Sequence, residues 1–369
     1  MIPIVYDATT TNFNNQGLGM LRDVETAIVT EERNGIYELT LTYPVGGVNA
    51  EYLTNLNYIK VKVDDDKELQ LFRINNVSKS DSNYTISVIA HHITYDLNGM
   101  YVSPLIIFNA DCDTAMKAML NATGSTRFYG SSDMTTKRAQ FAMGNQSAMN
   151  CIAGTRGSLL DLWGGEIIRD NWHIQLVKSR GKDNGVTLRG ASDITGLTIV
   201  VDTTDLVTEI VPYYIDEENK IEGENTIVLL PETYIKSPYI NDYPVKRTLG
   251  VDYTGDEAVT SVDTLRSKAK TWFDNNEKDK PKISMDVNFI ALWQFQGYEF
   301  LRDLQRLRLC DTTRVYHEAL GVSVTVKVTT TVYDVLQERY TLMKLGTPKT
   351  TFDMDMFNQI DTVKRIFGR

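Results

Sequence analysis

Residues 322–333 read VSVTVKVTTTVY, with an apolar side chain at nearly every even position and Ser, Thr or Lys at nearly every odd one. Because successive side chains of a strand point to opposite faces of a sheet, this pattern predicts a long strand with one buried face. The next residues, 334–346, read DVLQERYTLMKLG. Their polar start interrupts the pattern before a second short apolar run, which ends at a glycine.

Size and composition predict a folded protein of several domains. At 369 residues the chain exceeds one ordinary core, and about two to four domains are expected. An apolar content of 42% with 23% charged residues is typical of a soluble protein. We find no stretch resembling a membrane span, and the opening MIPIVYDATTTNF lacks the features of a secretory signal or transit peptide.

The charge disfavours nucleic-acid binding, since 38 basic minus 48 acidic residues leave a net charge of −10. Three cysteines, Cys112, Cys151 and Cys310, stand far apart. Their odd number and wide spacing predict reduced, mostly buried thiols rather than a disulfide framework or a metal knuckle.

Alternating apolar runs dominate both ends of the chain, and the middle changes period. Runs of β pattern with turn residues between them predict an antiparallel sheet or barrel in the first part. We predict five parts: 1–98, a first β-domain; 99–185, an α+β domain; 186–280, a connecting β-region with a helix over 257–276; 281–346, a second β-domain; 347–369, a C-terminal helical tail.

Two helices are predicted within the α+β domain. Asp111 or Asp113 can cap the first, and Gly124 can end it. The second is predicted from Ser147 to Trp163, where two glycines follow. The string EIIRDNWHIQLVK at residues 166–178 then predicts two strands around a tight turn.

Two further amphipathic helices are predicted by apolar residues recurring at helical spacing. The C-terminal one is expected to dock on its own chain or on a neighbouring subunit rather than on lipid. The first face comprises Val259, Val262, Leu265, Ala269, Trp272 and Phe273, and the second Met356, Phe357, Ile360, Val363, Ile366 and Phe367.

Seven strings occur in the order in which similar strings mark one family of proteins. They are YELTLTYP (37–44), VIAHHITYDL (88–97), WGGEIIRDN (163–171), VTLRGASDITGL (186–197), DLVTEIVPY (205–213), LCDTTRVYHEALGV (309–322) and YDVLQERYTLMKLG (333–346). The chain therefore resembles the prophage tail endopeptidase family, also called tail-associated lysins. This resemblance covers nearly the whole chain.

The resemblance implies the N-terminal hub portion of such proteins, a baseplate hub of a tailed bacteriophage. Its expected fold is mainly β with α+β insertions: two β-barrel-like domains of the contractile-tail hub type, a small α+β domain and a C-terminal helix. Three copies would form a ring below the distal tail protein at the virion tail tip, assembled in the host bacterial cytoplasm. The ring would close or open the tube for DNA ejection, and tape measure and receptor-binding proteins are further implied partners.

The chain departs from the family pattern in two places. Many relatives carry a peptidoglycan hydrolase or a receptor-binding extension after the residues that correspond to Gly346. Here only 23 residues (369 minus 346) follow it, so we expect the lytic part to be missing. Relatives tend to have glycine where Cys310 stands. Since glycine tolerates a left-handed turn, cysteine suggests a less strained turn or a local change of geometry there.

Candidate catalytic side chains are sparse. His91 and His92 are adjacent in a predicted strand, so they point to opposite faces, while His173 and His317 stand alone. The sequence contains no H-E-x-x-H, C-x-x-C or G-x-S-x-G motif. Near a helix start, Cys112 would gain from the helix dipole, but flanking aspartates would raise its pKa, so a small buried residue is the favoured interpretation.

Two charge clusters complete the set of candidates. Asp64, Asp65, Asp66 and Glu68 lack the spacing of a calcium loop, which favours a solvated hairpin tip. The basic cluster is interpreted as a subunit contact or strand edge rather than a nucleic-acid site. It consists of Arg302, Arg306 and Arg308.

The sequence thus predicts a non-enzymatic, homotrimeric hub with no catalytic, cofactor or metal site. The alternative is a peptidoglycan endopeptidase acting on the host cell wall, for which Cys112 and His91 are the residues to test. A third hypothesis is a cell-surface adhesin that binds host wall polysaccharide.

Overall fold

The computed structural model describes residues 1–64, 68–190, 194–221, 224–256, 258–276, 278–289, 297, 306–320 and 322–346. These residues are mainly β, which confirms the predicted class. The predicted helix in 347–369, together with Asp65, Asp66 and Arg302, lies outside the described residues.

The strands are β1 (Ile4–Tyr6), β2 (Gly19–Met20), β3 (Thr26–Glu32), β4 (Tyr37–Pro44), β5 (Tyr58–Val61), β6 (Gln70–Ser80), β7 (Thr85–His92), β8 (Tyr101–Val102), β9 (Leu105–Ala110), β10 (Tyr129–Ser132), β11 (Ala139–Met143), β12 (Gln146–Ser147), β13 (Glu166–Asp170), β14 (His173–Val177), β15 (Asp183–Arg189), β16 (Ile194–Asp202), β17 (Glu209–Ile221), β18 (Glu224–Leu229), β19 (Ile235–Lys236), β20 (Thr248–Asp252), β21 (Lys282–Phe289), β22 (Thr312–His317), β23 (Val322–Asp334) and β24 (Arg339–Gly346). The α-helices are α1 (Cys112–Asn121), α2 (Ala148–Ile152), α3 (Leu159–Trp163), α4 (Val262–Lys270) and α5 (Trp272–Asn276).

The chain divides into two compact units. Unit 1 comprises Met1–Leu197, Asp286–Val315 and Thr325–Leu345, and unit 2 includes Thr198–Met285 and Tyr316–Val324. The five-part division drawn from the sequence is finer than these two units and stays a prediction.

The main sheet of unit 1 joins strands from both ends of the chain. From β24 its order is β24-β23-β3-β4-β7-β6-β5-β1-β2, and β22 pairs with both β23 and β15. Thr330–Asp334 of β23 run antiparallel to Ile28–Glu32 of β3. Among the described strand pairs this order is open, so they do not show the closure that a barrel requires.

The quoted strand is present, but its buried face changes along its length. Val326 and Val328 are buried, as the even-position pattern predicts. Thr330 and Thr331 are then buried in succession, and beyond them the odd-numbered Tyr333 is buried. The prediction of one continuous buried face is therefore wrong from Thr331 onward, where β23 has entered its pairing with β3.

The first predicted helix forms as α1. Asp111, rather than Asp113, is its N-cap, and its carboxylate accepts a hydrogen bond from the Thr114 backbone N–H at 2.8 Å. The helix ends at Asn121, before Gly124, whose N–H still donates to the Asn121 carbonyl.

The two longer predicted helices are each broken. In place of one helix over 147–163 the structure has α2 and α3, because Gly154 between them takes a left-handed φ of +105°. The helix predicted over 257–276 is divided into α4 and α5 by Thr271, and residue 257 lies outside the described part. The predicted apolar face is confirmed, since all of its members except the half-buried Val262 are buried.

One apolar core serves both the N-terminal sheet and the α+β insertion. Tyr6, Tyr58 and Leu71 from the sheet belong to the same buried cluster as Met116 and Trp163 from the insertion. The predicted hairpin β13–β14 forms with Asn171 at a left-handed φ of +47°, and β10 pairs parallel to β14. The insertion therefore packs as a continuation of unit 1.

Unit 2 contains a sheet of its own, in the order β18-β17-β19 with β20 parallel to β17. Helices α4 and α5 cover it with two small apolar clusters around Ile210 and Leu230. Over the part of the chain that is described, no helix is both long and apolar enough to cross a lipid bilayer.

Candidate functional site

Charged side chains converge on a cavity of about 210 Å³ within unit 1. Strands β3, β13, β15 and β23 and the turn before β22 surround it, and three tyrosines, Tyr37, Tyr333 and Tyr340, contribute to its wall. Its charged lining residues are Glu31, Asp64, Arg180, Lys182, Arg308 and Asp311.

The central contact of this charged cavity is a bidentate ion pair between Arg180 and Glu31. Arg180 Nη1 and Nη2 donate to the two carboxylate oxygens at 2.7 and 2.9 Å, and both side chains are about nine-tenths buried. Burial alone would lower the pKa of Arg180, but the charge and hydrogen bonds of Glu31 raise it above the ordinary value. Arg180 is therefore charged in the folded protein.

Glu166 of β13 holds a second set of cations beside this pair. Lys327 Nζ donates to Glu166 Oε1 at 2.7 Å, Arg33 Nε lies 3.0 Å from the same oxygen, and the Arg180 backbone N–H donates to Oε2 at 2.7 Å. Burial opposes ionisation of Glu166, yet these donors hold its pKa below the ordinary value of 4.5. The network thereby ties β13 to β23.

Cys310 occupies a turn that touches the network. Its φ is +72°, so the left-handed conformation is kept without a glycine, and the expectation of a less strained turn is wrong. A Cβ on Gly181 would lie 1.9 Å from the Cys310 carbonyl oxygen, which shows how closely the two backbones approach. Burial and the nearby charge of Glu166 raise the pKa of the Cys310 thiol to about 12, so it is protonated.

Asp64 and Arg306 form another buried pair in unit 1. Arg306 Nη2 donates to Asp64 Oδ1 at 2.5 Å, and each side chain is only 8% exposed. The predictions of a solvated tip at Asp64 and of a subunit contact or strand edge at Arg306 are therefore wrong. The two opposite charges are 242 positions apart in the sequence and neutralise each other on burial. A local sequence pattern cannot predict a contact between residues so far apart. Glu68 and Arg308, in contrast, are exposed.

The adjacent histidines do not assemble a site. His91 and His92 point to opposite faces, as predicted: His91 is partly exposed beside Glu38, and His92 is buried. His92 stacks on Tyr37 at 4.5 Å and bonds to Gln70 Oε1 at 3.0 Å. The imidazole is therefore a satisfied core group.

The other two histidines lie in different strands. His173 Nε2 lies 2.9 Å from Ser131 Oγ, and burial lowers its pKa. His317 ends β22. Within the described ranges, no group of three or more His, Cys, Asp or Glu side chains is arranged to hold a metal ion.

Cys112 is buried at the start of α1. Burial first, and the charges of Asp113 and Asp111 next, raise the pKa of its thiol to about 11. The thiol is therefore protonated near neutral pH, whereas a nucleophilic cysteine requires the thiolate. The flanking aspartates act as the sequence predicts.

Nothing in the sequence pattern points to Glu31, Glu166 and Arg180, the residues that organise the cavity. No motif spans them, because the pair Arg180–Glu31 joins positions 149 apart. Chemically, the arrangement neutralises buried charges between segments that are distant in sequence. It holds those segments together, and among the described residues that line the cavity no nucleophile stands next to a base.

The fold matches solved prophage tail proteins along almost its whole length. Prophage tail protein gp18 from Listeria monocytogenes aligns with a TM-score of 0.59 at 16% identity, covering 99% of this chain and 100% of that one. The prophage MuSo2 43 kDa tail protein from Shewanella oneidensis aligns at 0.61 and 10%, covering 95% and 100%. A tail protein from Neisseria meningitidis aligns at 0.56 and 10%, covering 94% and 96%.

Comparison with curated proteins gave no match. Two family models match the sequence directly: the N-terminal domain of the prophage endopeptidase tail over residues 3–92, and the prophage endopeptidase tail over residues 182–354. Together they cover both the N-terminal sheet and the strands that complete it. The chain belongs to the prophage endopeptidase tail family.

Proposed function

We propose that this protein is a structural hub at the tip of a bacteriophage tail. It acts as a homotrimer below the distal tail protein ring, where it closes or opens the tube for DNA ejection. The observation that carries this proposal is the family match at both ends of the chain. The likeness of the fold to prophage tail proteins over more than nine-tenths of the chain agrees with it.

Two features of the surface support assembly. Ile106 and Phe108 on one face of β9 are 61% and 72% exposed, and Ile227 and Leu229 of β18 are 61% and 45% exposed. Apolar side chains grouped on strands favour contacts between subunits. In the assembled ring we expect the open sheets to form the two barrel-like domains, with tape measure and receptor-binding proteins as further partners.

The mechanism we propose is geometric and not enzymatic. The carboxylates of Glu31, Asp64 and Glu166 each form an ion pair with an arginine or lysine side chain. The Cys112 thiol is protonated. Ion pairs of this kind fix the relative positions of strands, which a ring-forming subunit requires. Loops or the α+β insertion would then block or clear the lumen.

The experiment is to measure the mass of the purified protein by light scattering and its binding to distal tail protein. We expect a trimer that binds the ring, and dissociation on Ile106→Lys with Phe108→Lys. Tyr84→Lys is the matched control, since Tyr84 is 73% exposed and lies elsewhere. A wild-type monomer that does not bind distal tail protein would refute the hub.

The endopeptidase alternative rests on the family description alone. Clearing of purified cell walls that is lost on Cys112→Ser or His91→Ala would establish it. We expect no clearing by the wild-type chain.

A further inference from the structure

A second cavity of unit 1, separate from the charged one, is an open groove of about 500 Å³. It lies between the loop after β1 and the tip of the β13–β14 hairpin, and aromatic and amide side chains are among those that line it. Its volume is within the range of about 300–1,000 Å³ typical of small-molecule sites. The groove-lining residues available for recognition are Thr11, Asn14, Glu68, Tyr129 and Trp172.

Both walls of the groove are fixed in place. In the loop, the Phe13 carbonyl accepts hydrogen bonds from Lys60 Nζ at 2.8 Å and from the Tyr6 hydroxyl at 3.1 Å, while the Phe13 ring meets Tyr6 and Tyr58 edge to face. A ligand would therefore find this wall already ordered, which lowers the entropic cost of binding.

The opposite wall is fastened to β6. Asn171 accepts a hydrogen bond from the Leu71 N–H at 2.9 Å and donates to the Leu69 carbonyl at 3.0 Å, and its own N–H donates to Gln70 Oε1 at 2.8 Å. The neighbouring Trp172 is held by Phe128 edge to face at 5.1 Å. The aromatic side chains of the groove are thus pre-organised.

Tyr129 supplies an open aromatic face. One side of its ring stacks on His173 with centroids 4.4 Å apart, yet the residue remains 59% exposed. Against such a face the C–H surface of a sugar ring packs well, because it is apolar and carries a slight positive charge toward the ring's negative face.

Hydrogen-bonding groups stand beside the aromatic faces. The side chains of Thr11, Asn14 and Glu68 are exposed and, within the described part of the chain, make no intramolecular hydrogen bond. The Asn14 amide and the Thr11 hydroxyl can donate to and accept from sugar hydroxyls, and the Glu68 carboxylate can accept from them.

The charges of the groove select the class of ligand. Among the described residues its charged lining side chains are Lys60, Glu68 and Asp170, and Lys60 donates to the Phe13 carbonyl. Arg127 adds a positive charge over the Trp172 ring, 5.3 Å from its centroid, so the charges around the groove balance. The described lining therefore lacks the clustered cations that a nucleic acid or a sulfated glycan requires. We infer that this groove binds a neutral oligosaccharide, the chain lying across Tyr129 and Trp172 with its hydroxyls at Asn14 and Glu68.

The test is NMR titration of the full chain with chitotriose, maltotriose and a panel of other neutral oligosaccharides, and with a heparin fragment as the polyanion. The chain has four tryptophans, so the indole N–H signals are few, and Trp172→Phe assigns that of Trp172. We expect a neutral oligosaccharide to shift the Trp172 signal saturably and to leave the other indole signals in place.

Tyr129→Ala is expected to weaken this binding about tenfold, because the stacking face is lost. Tyr101→Ala is the matched control, since Tyr101 is 57% exposed outside the groove, and its affinity should equal that of the wild type. The inference is overturned if no neutral oligosaccharide binds at millimolar concentration, if only heparin binds, or if binding leaves the Trp172 signal unmoved. None of these outcomes bears on trimer formation, which is measured separately.

Discussion

Cys310 adopts a left-handed backbone conformation that glycine usually provides. Its φ of +72° places a side chain in the left-handed region, which costs roughly 1–2 kcal/mol for a residue other than glycine. The turn is nevertheless held, because the Cys310 N–H donates to the Val328 carbonyl and the Gly181 backbone packs against it.

Comparing two substitutions at this position isolates that strain. Cys310→Gly and Cys310→Ala both remove the buried thiol, but only alanine keeps a Cβ at positive φ. We therefore expect the glycine variant to be more stable than the alanine variant by about 1 kcal/mol. Urea unfolding measures the difference, and an alanine variant as stable as the glycine variant would show that the turn is relaxed.

The buried Arg180–Glu31 ion pair predicts a large loss of stability when one of its two charges is removed. Removing one charge, as in Arg180→Gln, leaves the buried carboxylate of Glu31 unpaired and should reduce the free energy of unfolding by about 3–5 kcal/mol. The double variant Arg180→Met, Glu31→Leu should recover much of that loss, because neither charge remains.

A surface pair provides the control for this experiment. Lys117 and Asp113 lie 2.7 Å apart on α1, and the Lys117 side chain is 58% exposed. Lys117→Gln should therefore have a much smaller effect than Arg180→Gln. Equal effects of the two substitutions would mean that the buried pair contributes nothing beyond a surface contact.

At the scale of elements, a substitution at Gly154, between α2 and α3, distinguishes one continuous helix from two helices joined by a left-handed residue. If residues 147–163 formed one helix, Gly154→Ala would stabilise it by about 1 kcal/mol. Because Gly154 has a φ of +105°, we expect the same change to destabilise the protein by about 1–2 kcal/mol. The sign of the change in thermal unfolding decides between the two structures.

Gly46→Ala is the matched substitution for that test. A Cβ added at Gly46 would have no heavy atom within 4 Å, and the φ of this residue is not in the left-handed region. Its replacement should change the free energy of unfolding by less than about 0.5 kcal/mol.

At the scale of the whole molecule, unit 1 depends on contacts between segments far apart in the chain. One of these contacts, between β13 and β23, depends on the charge of Glu166 and therefore on pH. Burial raises the pKa of Glu166, but Lys327 and Arg33 hold it below 4.5. A carboxyl group with a lower pKa in the folded than in the unfolded state stabilises the fold above its ordinary pKa. That contribution is lost as the pH falls through the folded-state pKa.

We therefore expect the free energy of unfolding to fall with decreasing pH below about 4.5. Glu166→Gln should flatten this part of the profile and lower stability at neutral pH, where it leaves the cations without their carboxylate. Glu68→Gln, at an exposed position, should leave the profile unchanged. If the free energy of unfolding falls equally below pH 4.5 in the wild type and in Glu166→Gln, other groups govern the pH dependence of stability.

Local patterns determined much of this protein from the sequence alone. The strand over 322–333, the hairpin around Asp170 and Asn171, and the capped helix α1 depend on neighbours within a few positions, and all of them form. Side-chain alternation, turn chemistry and capping act over such short distances, so a single sequence carries them.

Only the tertiary structure decided where the buried charges meet and where a buried face changes side. Glu31, Asp64 and Arg306 look like surface residues in the sequence, because a lone charge is costly to bury. Burial of each charge is favourable only because an oppositely charged side chain from a distant segment pairs with it. Likewise, β23 changes its buried face only where it pairs with β3. Such contacts depend on how the chain returns on itself, which no local run of residues encodes.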